Sequence, residues 1–194
     1  SAECQRDVEL ARELGFSGTA MPVFPNAGGF SKSDLRQELQ GIGSRKIIAV
    51  KGYTGWVGRA DVALEGISLI AEEVRDFKFV VFSSNRSTLR YVDQLRSECG
   101  LEIEAYRKGA LTQEQMKQLF SQSIAYVGIS ESDGISTSML EAMAFGAIPV
   151  QTATACCNEW FTKTGVRVET ITPEAVGRSL LAALDLAKDP SNAK

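Results

Sequence analysis

From Arg45 onward, short apolar runs alternate with longer amphipathic ones, and this alternation is the strongest constraint on what the chain can fold into. Residues 47–50, 77–82, 101–105, 124–129, 147–150 and 166–169 have the length and β-branched content of buried strands. Between them, residues 59–74, 87–98 and 112–120, the stretch from Ser136 to Gly146, and residues 172–187 carry apolar positions at helical spacing. Thr112-x-x-Gln115 forms a capping-box signature, and Thr172 followed by Pro173 is a second helix start. Strands of this kind, each followed by a helix on a short connection, predict an α/β fold. It should be a Rossmann-like parallel sheet with helices on both faces and right-handed crossovers.

The front of the chain is less regular. Residues 3–14 predict a helix ended by Gly15, residues 19–24 a short strand, and Pro25-Asn26-Ala27-Gly28-Gly29 a break. A single helical turn is expected within residues 33–38. Residues 1–44 therefore form a lead-in or linker, and residues 45–194 the domain proper.

In a doubly wound sheet, ligands bind beyond the carboxyl ends of the strands. One such end is the stretch from Ser130 to Val150. Asp133 and Gly134 suit a tight turn, Ser136, Thr137 and Ser138 suit a helix N-terminus, and Gly146 stops the helix. Asp133 reads plainly as a turn aspartate, and Glu141 as the far member of a Ser138-x-x-Glu141 capping box. Functionally, free amides at the helix start would hold an anion, with Glu141 one turn on to hold hydroxyls beside it. A phosphate next to a sugar diol fits that arrangement.

The second such end is Lys51-Gly-Tyr-Thr-Gly-Trp-Val-Gly-Arg59, with three glycines and two cations. It matches neither G-x-x-x-x-G-K-[ST] nor G-x-G-x-x-G. Gly52, Gly55 and Gly58 would let a ligand approach the backbone. Arg59 opens a helix, where a cation opposes the dipole by roughly 0.3–1 kcal/mol unless an anion answers it. Lys51 and Arg59 are thus phosphate-binding candidates, against the plainer reading of a solvated loop.

Composition excludes several chemistries. There is no histidine, so neither a Ser-His-Asp nor a Cys-His mechanism is available within this chain. The net charge of -3 gives no footprint for nucleic acid. No run approaches the roughly 18 apolar residues of a membrane span. Cys4, Cys99, Cys156 and Cys157 show no C-x-x-C spacing, so free thiols in a reducing cytoplasm are expected, with no metal site. Glu131-x-Asp133 has the form of an acidic metal clip, but it stands just before a capped helix, which suits a metal-free site better.

The run Asp133-Gly-Ile-Ser-Thr-Ser-Met-Leu-Glu141-Ala-Met-Ala-Phe-Gly-Ala-Ile-Pro-Val150 resembles the E-x7-E region of retaining glycosyltransferases of family 4. There the pattern is roughly E-G-F-G-x-x-x-x-E-A-M-A-x-G-x-P-V. Here Asp133 replaces the first Glu, and Ile135-Ser136 replace Phe-Gly. The resemblance, over about residues 20–187, implies the C-terminal, donor-binding half of a GT-B fold. It implies that Asp133 faces the transferred sugar and Glu141 the ribose, with Gly134, Ile135, Ser136 and Thr137 around the donor. Family members hold the diphosphate with an Arg and a Lys after the first strand, a role for which Lys51 and Arg59 are candidates, with Gly52 beside them. Arg107-Lys108-Gly109-Ala110-Leu111 resembles the segment lying against the base, which brings in Gly109 and Ala110. The loop at Ser83 stands where the family often has a glycine-rich turn.

The expected partners are a nucleotide sugar as substrate, with no cofactor, and an acceptor glycan or lipid held by an N-terminal domain absent from this sequence. The chain starts at Ser1 rather than Met, consistent with a piece of a longer protein, and this piece alone is expected to be inactive. A cytoplasmic location is expected, with membrane association confined to the full-length protein. The rival readings are a non-catalytic nucleotide-binding module and a GT-B nucleotide-sugar epimerase.

Overall fold

A computed structural model describes residues 2–24, 29–31, 33–36 and 41–189. The core is a six-stranded sheet of β1 (Ile47–Lys51), β2 (Lys78–Ser84), β3 (Glu102–Arg107), β4 (Ser123–Gly128), β5 (Ile148–Thr152) and β6 (Val166–Val168). Its order is β3-β2-β1-β4-β5-β6, and every pairing is parallel. The chain leaves β1 toward one edge and returns at β4 to build the other, so the switch point lies between β1 and β4.

Helices α2 (Ala60–Leu69), α3 (Arg86–Cys99), α4 (Gln113–Gln122), α5 (Thr137–Ala144) and α6 (Pro173–Leu186) cover the two faces. Alternation along each strand divides the core. Ile48, Val50, Phe79, Val81 and Val127 pack with Val62 and Leu64 of α2, Leu95 of α3 and Leu180 of α6. Ala49, Val80, Phe82 and Tyr126 point the other way, to Leu119 and Phe120 of α4 and Met139 and Ala142 of α5. A strand buried on both faces must be apolar at every position, which is why these runs are continuous in sequence. The α4 capping box forms between Thr112 and Gln115, and Thr172 caps α6.

Arg45, just before β1, is buried and ties two elements together at the amino end of the sheet, opposite the carboxyl ends of the strands. Its Nη1 donates to the Ser123 carbonyl at 2.9 Å and to the Phe145 carbonyl at 2.8 Å, joining the start of β4 to the end of α5.

The front of the chain packs on this domain. Helix α1 (Gln5–Glu13) buries Cys4 and Val8, and its first amides, from Gln5 and Arg6, donate to the Glu159 carboxylate at 2.8 and 3.1 Å. Phe30 meets Phe145 and Phe120 edge-on, at 5.1 and 6.4 Å between ring centres. A 3-10 turn at Asp34–Arg36 falls within the expected helical turn, whose last two residues lie outside the described ones. So do residues 25–28 of the expected break. Residues 19–24 do not form the expected strand. Thr19, Ala20 and Met21 instead line a pocket together with Asp7, Val8 and Ala11 of α1, and the Phe24 amide donates to the Ala2 carbonyl. No helix among the described residues is long and apolar enough to cross a membrane.

Candidate functional site

A cleft of about 610 Å³ opens at the carboxyl ends of β1, β2 and β4, beside the switch point. Lys51, Ser83, Arg107, Lys108, Gly109, Asp133, Ile135, Thr137, Ser138 and Glu141 all line it.

Lys51 is the last residue of β1. Its Nζ lies 3.4 Å from Asp133 Oδ2 and 3.3 Å from Ser136 Oγ. Its pKa is raised above the ordinary lysine value, first by the charge Tyr126 would carry as a phenolate and then by Asp133, with burial pulling the other way. The ammonium therefore stays protonated at neutral pH.

Ser136 is the N-cap residue of α5, but its hydroxyl does not cap the helix. It turns inward to the buried Tyr126 hydroxyl, 3.0 Å away, which also meets Ser138 Oγ at 3.0 Å. The positive end of α5 thus faces the cleft without a side-chain acceptor of its own, next to the Lys51 ammonium. Both features favour an anion.

Glu141 does not close the expected capping box. Its Oε1 instead accepts from the Gly29 amide at 2.7 Å, and Gln113 donates to the carbonyl of the same glycine. The capping pattern fails because the helix starts earlier, with Ser136 at its N-cap, so Ser138 lies inside the first turn, where its hydroxyl meets Tyr126. Glu141 is left on the cleft wall at the junction of α5 and the docked segment around Phe30.

The remaining predicted residues divide. Gly109 takes a left-handed conformation (φ 77°) that its turn requires, and Ala110 follows it with its amide on the Arg107 carbonyl. Ile135 is buried beneath the cleft floor and Thr137 opens α5 on its wall. Gly134 does not adopt the unusual backbone its turn suggested. A side chain there would meet Glu3 Oε2 at 2.9 Å. Gly52 packs against β2, where a Cβ would come within 2.5 Å of Ser84 Oγ and 2.9 Å of the Phe82 carbonyl. Its lack of a side chain serves the sheet end rather than a ligand's approach.

Arg59 lies elsewhere. It lines a separate cleft with Thr54, Ser87, Thr88 and Tyr91, and pairs with Glu131 at 2.5 Å and Asp61 at 3.3 Å. Those hydrogen bonds, Asp61's first and Glu131's second, raise its pKa. The anion that answers a cation at this helix start is the protein's own. Glu131 and Asp133 are each paired with a different cation, Arg59 and Lys51.

Four contributors, Ser83, Tyr126, Glu3 and Arg6, lie outside the site residues expected from sequence. Ser83 sits on the cleft wall with φ 56°, inside a bulge between β2 and β3. The absence of the family's glycine there was its only signal. Tyr126 looks like core in sequence, yet it orients both hydroxyls at the start of α5. Glu3 reaches the cleft from α1's leading end, and Arg6 donates to the Asp133 carbonyl at 3.3 Å. No local pattern could bring residues 127 positions apart together.

A six-stranded parallel sheet in this order, with its cleft at the switch point, is a Rossmann-like fold of the kind found in GT-B glycosyltransferases and in many other nucleotide-binding proteins. The chain belongs to the family described as Glycosyl transferases group 1, whose sequence model matches residues 44–185. No curated protein sequence matches it. Among solved structures, a TarM mutant from S. aureus in complex with fondaparinux, alpha-GlcNAc-glycerol and UDP superposes with a TM-score of 0.73 at 14% identity, over 99% of this chain and 37% of that one. HepE from Anabaena, in complex with UDP and glucose, gives 0.67 at 13% identity, over 99% and 54%. The C-terminal domain of LpcC from Francisella tularensis, a glycosyl transferase group 1 family protein, gives 0.60 at 16% identity, over 73% and 80%. At such identities the likeness shows the fold alone. The chain spans 41% of the length of WaaG and 37% of TarM.

Proposed function

We propose that this chain is the donor-binding domain of a glycosyltransferase and takes a nucleotide-diphosphate sugar into the cleft at the β1–β4 switch point. The observation that carries this is Lys51 Nζ beside Ser136 and Asp133 at the start of α5. The ammonium and the helix N-terminus point at one place, where the diphosphate would lie. Glu141 would accept from the ribose hydroxyls, and the 107–111 turn would lie against the base. Asp133 would face the sugar.

Breaking the bond from the anomeric carbon to the diphosphate leaves negative charge on the departing oxygen. Preorganised positive charge at that point is the largest help a protein can give. Lys51 and the first amides of α5 supply it, with Arg107 and Lys108 on the opposite wall as further cations. Arg59, engaged by Glu131 and Asp61, would act on the diphosphate only after exchanging those partners. Retention of configuration, transfer without a metal, an acceptor presented by a further domain and inactivity of this domain alone all belong to the same proposal.

The test is calorimetric titration of this domain with UDP, GDP and ADP, with Glu141→Ala alongside. Binding of one nucleotide in preference to the others, lost in the variant, is the expected result. No binding of any of the three, or equal binding by the variant, counts against the proposal.

A further inference from the structure

Cys4, at the leading end of α1, and Cys156, after β5, lie 152 positions apart in sequence, yet their sulfurs are 2.6 Å apart in the fold. Both are buried, at 0% and 1% exposure. Cys156 holds a left-handed backbone (φ 48°) that a residue with a side chain rarely adopts. Its neighbour Cys157 faces away, its thiol directed at the Thr152 carbonyl at 3.4 Å. Cys99 ends α3, in the other core cluster.

We propose that Cys4 and Cys156 form a reversible disulfide that staples α1 to the loop after β5, at the edge of the cleft. The geometry favours this over a shared metal ion, although Glu159 stands near enough to complete a cluster of three. Two thiolates on one tetrahedral zinc would sit about 3.8 Å apart. A disulfide needs about 2.05 Å, a much smaller adjustment from the distance found. The Glu159 carboxylate is also already engaged, one oxygen on the Gln5 amide and the other on the Arg6 amide.

The chemistry is thiol–disulfide exchange with a low-molecular-weight disulfide such as oxidised glutathione. One cysteine thiolate attacks it and releases a glutathione thiolate. The second cysteine then attacks the mixed disulfide and releases the other. The protein loses two protons and two electrons, and the oxidant leaves as two thiols. Burial pushes the Cys156 thiol up to about 12, so exchange proceeds when α1 lifts away and is slow while it is docked. Once formed, the bond fixes Arg6 on the Asp133 carbonyl and on the Thr154 carbonyl, which it reaches at 2.6 Å.

The experiment is to incubate the purified protein with oxidised glutathione at mildly alkaline pH and map its peptides by mass spectrometry without reduction. A link between Cys4 and Cys156, kept in Cys157→Ser, lost in Cys156→Ser and reversed by dithiothreitol, is expected. Hydrogen exchange of the α1 amides should slow in the oxidised form. Glutathione adducts alone, a link through Cys157 or Cys99, or stoichiometric zinc uptake that keeps both thiols reduced would each overturn the proposal. The wild-type peptide map decides the matter even if a serine variant does not fold.

Discussion

Lys51 Nζ and Asp133 Oδ2, 82 positions apart in sequence, lie 3.4 Å apart, joining the end of β1 to the loop that follows its neighbour β4. Both side chains are partly exposed, so the pair alone contributes little to stability. Its interest is positional, because it sets an ammonium at the mouth of an uncapped helix.

Removing that ammonium should weaken diphosphate binding. A charge-assisted contact of this kind corresponds to about a 10–100-fold loss of affinity. With UDP as the probe, Lys51→Ala is therefore expected to lose affinity by about that factor, because the α5 amides remain, while Asp133→Asn keeps UDP binding within a few-fold. Calorimetry on both variants checks this, and a Lys51→Ala protein that binds UDP normally would refute the assigned role.

Ser83 holds a left-handed backbone without being glycine. That conformation costs an L-residue about 1–2 kcal/mol, part of which glycine gives back through the entropy of the unfolded chain. Ser83→Gly should raise the unfolding free energy by about 0.5–1 kcal/mol, net of that loss. Urea denaturation reads it directly.

Helices α2 and α6 touch through glycine. A Cβ on Gly66 would stand 2.6 Å from the Pro173 carbonyl oxygen and 3.0 Å from Val176 Cβ. Gly66→Ala should cost about 1–3 kcal/mol by forcing the helices apart, despite alanine's better helix propensity. An unchanged denaturation midpoint would show that the contact yields more easily than the packing implies.

Asp34 carries a pH dependence. The Ser31 amide and hydroxyl first, then Lys117, hold its carboxyl at about 2, below the ordinary 3.8. A depressed folded pKa means that its contribution is present above the unfolded value and is lost as pH falls through the folded one. Docking of residues 33–36 on α4 should accordingly hold at pH 5 and weaken between about 3.8 and about 2. Carboxyl NMR of Asp34 would follow it, and Lys117→Ala should remove only part of the shift, since Ser31 supplies the larger causes.

Much of the fold was legible because its signals are local. A strand buried on both faces has to be apolar throughout, so β1, β2 and β4 announce themselves. Capping needs particular side chains at particular offsets, so α4 and α6 start where Thr112 and Thr172 stand. The stretch from Asp133 to Glu141 could likewise be picked out as the start of a helix beyond a strand end.

What the sequence left open are contacts between distant segments. Local spacing paired Ser138 with Glu141, but Tyr126 takes Ser138 and Gly29 takes Glu141. Arg59 looked free for a ligand until the fold brought Glu131 to it. The approach of Cys4 to Cys156 has no local trace either. By itself the sequence determined the order of strands and helices, since these depend on neighbouring residues and burial. Only the tertiary structure decided which charges are spent on each other and which face the cleft, because charged groups meet partners by proximity in space rather than along the chain.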